Sequence, residues 1–93
     1  MEIGNINSID APKAGEKYYH YKHDATLGEN DHLYEIIGLG DDTETGKILV
    51  IYKPLYESDY LKEKGTEYFV RPLSEFCDFV DRDEYKGPRF LKV

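Results

Sequence analysis

A chain of ninety-three residues, shorter than the ~100–150-residue mode of protein domains, has room for one hydrophobic core and not for a second domain. Its 40% hydrophobic and 33% charged residues exclude a disordered tail, while nine Tyr and four Phe without Trp put much of the core's area into rings whose hydroxyls need partners or water. Nineteen acids against twelve bases give a net charge of −7, which disfavours nucleic acid as a partner; Lys17 and Lys22, Lys62 and Lys64, and Arg89 and Lys92 are sparse pairs among acids rather than a basic stripe.

At the N-terminus, Met1 to Asn5 lacks the basic start and apolar run of a signal peptide, and no stretch reaches the ~20 apolar residues of a membrane span, so the cytoplasm is the expected compartment. Residues 1–16 contain Gly4, Pro12 and Gly15 without sustained alternation and read as a flexible arm, leaving 17–93 as the domain. The run Tyr18-Tyr19-His20-Tyr21 is β-prone, and His23 to Asp31 is loop-like. Leu33 to Leu39 predicts a second strand, with Gly38-Leu39-Gly40 better read as a bulge or bend than as a dinucleotide loop, since a third glycine and a following long helix are missing.

Asp41 to Lys47 carries hairpin-tip chemistry: aspartates able to cap the backbone, and Gly46 free to adopt positive φ. Ile48-Leu49-Val50-Ile51-Tyr52 then predicts a central strand ended by Pro54, and Leu55 to Gly65 reads as a charged connection. Tyr68 to Arg71 predicts a fourth strand stopped by Pro72. Pro72 to Phe76 predicts one helical turn with Leu73 and Phe76 facing the core. Cys77, the single cysteine, rules out an internal disulfide and is expected to be a small buried hydrophobe. Asp78 to Gly87 reads as an acidic turn region and Pro88 to Val93 as a closing strand. The whole is mainly β: about five short strands and one short helical turn, suited to a small barrel.

Taken in order, Tyr18-Tyr19-His20-Tyr21-Lys22, Tyr34 to Gly38, Thr43-Glu44-Thr45, Val50 to Tyr56, and Phe69-Val70-Arg71-Pro72 with Phe76 resemble a bacterial family called domain of unknown function 1653 over about residues 17–93. The resemblance implies an SH3-like β-barrel and brings no established activity. Three features depart from the family pattern: a longer segment between Lys22 and Tyr34, Asp42 where a histidine is expected, and Phe69 in place of a tryptophan.

Several chemistries are weighed against the same residues. His20 and His23 point to opposite faces of a strand, and the calcium-like start at Asp41 meets Tyr52 where a bidentate Glu is required, so no metal or other cofactor is expected. His20, Glu44 and Arg71 could serve a small hydrolase-like enzyme as base, carboxylate and anion clamp, yet no nucleophile elbow or phosphate loop accompanies them. The favoured reading is a non-catalytic binding module for a peptide, protein or small polar ligand. Tyr18, Tyr52 and Tyr56 would supply its aromatic surface, His20 and Arg71 its polar anchors, and Glu44 its rim. Some of these rings are also candidates for the core of so small a domain.

Overall fold

The computed structural model of the protein describes residues 11–93, so the first ten positions of the expected arm lie outside the described residues. The rest of that segment runs along the sheet. Pro12 is fully buried, the Gly15 N–H donates to Ile36 O at 2.8 Å, and the Ile36 N–H donates to Glu16 O at 2.8 Å.

Seven strands follow: β1 (Lys17–His20), β2 (Leu33–Asp41), β3 (Ile48–Pro54), β4 (Phe69–Pro72), β5 (Phe79–Arg82), β6 (Tyr85–Pro88) and β7 (Phe90–Lys92). Five of them form one antiparallel sheet in the order β4-β3-β2-β1-β7, and β5 pairs with β6 in a separate hairpin. The mainly β expectation is met; the five expected strands make up the main sheet, and β5 and β6 add two that the sequence reading took for a turn region. The sheet does not close into a barrel, because its two edge strands, β4 and β7, are not hydrogen-bonded to each other. Both edges are short, and Pro72, which has no N–H to offer a ladder, ends β4 and leads into the helix α2 (Leu73–Phe76).

The β2–β3 hairpin carries the predicted turn chemistry. Asp42 Oδ1 accepts from the Glu44 N–H at 3.0 Å, and Gly46 takes φ +75°, where a side chain would be strained. The expected irregularity is a register shift between Ile36 and Gly38. On either side of it the strands present Tyr34, Ile36, Val50 and Tyr52 inward, where they meet Tyr18 of β1, Phe90 of β7 and Phe76 of α2 in one buried cluster. Phe76 and Phe90 stack with centroids 4.0 Å apart and planes 5° from parallel, so α2 closes the core over β7. Leu73, the other residue predicted to face inward from this turn, packs against the same cluster.

Three local expectations are corrected. The charged connection after β3 contains a second helix, α1 (Asp59–Lys64), capped by Ser58, whose Oγ accepts from the Leu61 N–H, and ended by Gly65 at φ +72°. The segment Asp78 to Gly87 is largely the β5–β6 hairpin, in which Val80 and Gly87 are buried. Cys77 is exposed rather than buried, because α2 spends its inward positions on Leu73 and Phe76 and the next residue turns out to solvent.

Candidate functional site at the open side of the sheet

His20 is the last residue of β1, and Arg71 is the penultimate residue of β4, two strands separated in the sheet by β2 and β3. Curvature brings them to one pocket of about 240 Å³, floored by Tyr34, Tyr52, Phe69 and Phe90 and edged by Lys22 and His32. The gap that keeps the barrel open is spanned by side chains: the Arg71 guanidinium lies 5.7 Å from the Phe90 ring centroid, a cation–π contact between the two edges.

The floor is rigid. The Tyr34 ring meets Tyr52, Tyr56, Phe69 and Phe90 edge-on, with centroids 5.2–6.1 Å apart, and its hydroxyl shares a 2.9 Å hydrogen bond with that of Tyr56. Burial first, and that bond second, push the Tyr34 hydroxyl well above its ordinary range, so it keeps its proton at every physiological pH. Tyr52, also buried, accepts a hydrogen bond from Arg71 Nε at 3.3 Å.

His20 stands edge-on to Phe90 at 5.2 Å and lies 5.7 Å from His32. The Lys22 N–H donates to its Nδ1 at 3.1 Å, which places the remaining proton of the neutral ring on Nε2. Burial lowers its pKa to about 4, aided by the neighbouring His32, Arg71, Lys22 and Arg89. At neutral pH, His20 is therefore an uncharged donor. Arg71 is half-buried; its Nη1 lies 3.6 Å from Glu75 Oε1, one helical turn on, and this exposed carboxylate is its ion-pair partner. Arg89 is taken up by Asp78, with bonds of 2.8 and 3.3 Å.

The structure divides the sequence candidates. His20, Tyr52 and Arg71 share the pocket. Tyr56 supports it from behind through Tyr34. Tyr18 is a core ring, edge-on to Phe76 at 5.3 Å, with its hydroxyl bonded to Glu16. Glu44 sits exposed in the β2–β3 turn and does not line the pocket. His23 lies beyond the end of β1, against Tyr19, rather than on a strand face opposite His20. Among the described residues no group of three or more His, Cys, Asp or Glu could hold a metal.

The sequence reading did not select Tyr34, Phe69, Phe90 or His32 for the site. A signal for His32 exists in the strand register: Tyr18 faces Tyr34 and Tyr19 faces Leu33, so His20 faces His32, and the His20 N–H donates to His32 O at 2.9 Å. His32 holds φ +52°, a left-handed conformation uncommon outside glycine, and its Nδ1 lies 2.9 Å from Asp31 Oδ2.

Comparison with known proteins places this architecture. A family described as "Protein of unknown function (DUF1653)" matches residues 16–92. A solved structure of a DUF1653 protein from Bordetella bronchiseptica is similar with a TM-score of 0.67 and 28% identity, over 91% of this chain and 90% of that one. Among curated proteins, none matches. The chain belongs to the DUF1653 family, as the motif resemblance implied.

Proposed function

We propose that this DUF1653 protein is a non-catalytic binding module and that it binds a small polar ligand in the pocket between His20 and Arg71. One observation carries the reading: five strands, β1, β2, β3, β4 and β7, each send a side chain to the same half-open depression, combining rigid rings with directed polar groups. The volume, about 240 Å³, falls below the ~300–1,000 Å³ of sites for drug-sized ligands and suits a single small molecule rather than a peptide strand.

A hydrolase-like role for His20, Glu44 and Arg71 has less support. Glu44 stands away at the hairpin turn, and a histidine with a pKa near 4 is a weak proton acceptor at neutral pH. The test is a thermal-shift screen of the purified protein against amino acids, sugars, nucleotides and small organic acids, repeated with Arg71→Ala. A ligand at 100 times its Kd should raise stability by about 2.7 kcal/mol, a shift of roughly ten degrees or more in a domain this size. The expected result is a stabilising compound whose effect disappears in the variant; stabilisers that act equally on Arg71→Ala would move the site elsewhere.

A further inference from the structure

We infer that the ligand of this pocket is an oxyanion, a carboxylate or phosphate group, carried on a flat apolar ring; the inference rests on the reading of the pocket as the binding site. The first argument is local charge. In a chain of net charge −7, the pocket is lined by Lys22, Arg71 and two histidines, with no Asp or Glu among its lining residues. Among the described residues, the acids paired with its lining residues stand at the rim, Glu75 beside Arg71 and Asp31 beside His32. Glu75 is 58% exposed and sits at 3.6 Å, too long for a strong charge-assisted bond, so a ligand oxyanion competes with it on favourable terms.

The second argument is hydrogen-bond inventory. His20 presents Nε2–H and Arg71 its η nitrogens, whereas the acceptors are each already engaged once: Tyr52 Oη takes Arg71 Nε, Tyr34 and Tyr56 share a bond, and His20 Nδ1 takes the Lys22 N–H. A cationic ligand would face the Arg71 guanidinium with no carboxylate among the lining residues to balance it. An oxyanion would meet a planar guanidinium suited to two parallel bonds and a neutral imidazole donor that keeps its proton through the physiological range.

The third argument is shape. Beside the donors the half-buried Phe69 leaves ring surface open, backed by the buried rings of Tyr34 and Phe90, in a space too small for a nucleotide, which fits one flat apolar body next to the charged head.

The test is a titration of the full ¹⁵N-labelled chain, followed by backbone amide shifts, with benzoate, phenyl phosphate, neutral benzamide and cationic benzamidine. Saturable shifts at His20, Lys22 and Arg71 are expected with benzoate or phenyl phosphate, at least tenfold tighter than with benzamide. Arg71→Gln should weaken the anion at least tenfold and Glu75→Gln should tighten it several-fold. Arg71→Lys, which keeps charge without the fork, covers the case in which the glutamine variant fails to fold. Equal binding of benzamide at the same amides would overturn the oxyanion and leave the pocket standing as the site. Silence of those amides with all four probes, or shifts confined to other residues, would overturn both.

Discussion

His20 illustrates how one side chain reports on its surroundings. Its pKa is held near 4 by burial and by the cations around it, against about 6.5 in an unfolded chain. Above pH 6.5 both states carry a neutral ring, and the group contributes nothing to pH dependence. As the pH falls from 6.5 towards 4, the unfolded chain takes up a proton that the folded chain refuses, so folding stability drops through that window and levels below it. A fully shielded group would contribute about 3 kcal/mol; with the ring half-exposed, about 1–2 kcal/mol is expected. Urea unfolding of the wild type and His20→Gln at pH 7 and pH 4 isolates the effect, because the carboxylates are common to both chains. The wild type should lose about 1–2 kcal/mol more than the variant, and parallel losses would mean that His20 titrates normally. Phe76 tests the opposite end of the core. Phe76→Ala removes the ring stacked on Phe90 and should cost about 3–5 kcal/mol, read as a lowered urea midpoint.

Among the elements, α1 was the least legible although every terminal signal was present. Ser58 caps it, Asp59 opens its first turn, Lys62 and Lys64 lie in its last, and Gly65 takes the left-handed position after it. Six residues are too few for a helical period to stand out among charges, which is why the segment reads as a connection. The same shortness makes α1 depend on its caps, for it buries only Leu61, which lies outside the main core cluster. Ser58→Ala should cost about 1 kcal/mol. Hydrogen exchange locates the loss: amides of α1 should exchange faster while those of Ile36 and Val50 stay protected to the same degree. Uniform acceleration across the sheet would instead make α1 part of the global folding unit. The β5–β6 hairpin was hidden differently, by acids at Asp81, Asp83 and Glu84 that resemble a turn but occupy exposed positions of the hairpin and its turn. At Gly87 a β-carbon would lie 2.8 Å from Tyr85 Oη, so Gly87→Ala should displace that ring from its 2.7 Å bond to Pro88 O.

For the whole molecule, local chemistry was enough to recover the β2–β3 hairpin and the inward pair Leu73 and Phe76, while the pocket required long-range geometry. Pairing of β1 with β7 joins residues at opposite ends of the domain, and nothing in either run names the other. His20, Tyr52 and Arg71 were selected from motifs, but Tyr34, Phe69 and Phe90 join them only once the sheet curls and its edges face each other. That curvature also concentrates charge. It gathers Arg71 and Lys22 at one place on a molecule of net charge −7, and Arg89 is neutralised by Asp78. A duplex-binding protein typically engages 6–10 phosphates, whereas Arg71 and Lys22 together would release at most about two counterions. Long-range repulsion from the remaining surface then opposes the approach of any polyanion, while a small anion feels mainly the local field within about a Debye length. The protein should therefore discriminate by size among anions. A fluorescently labelled 20-base-pair duplex should show no anisotropy change at about 0.15 M salt under conditions where phenyl phosphate shifts the pocket amides. Binding of the duplex, with a salt slope much steeper than about −2, would require a basic surface larger than Arg71 and Lys22 supply.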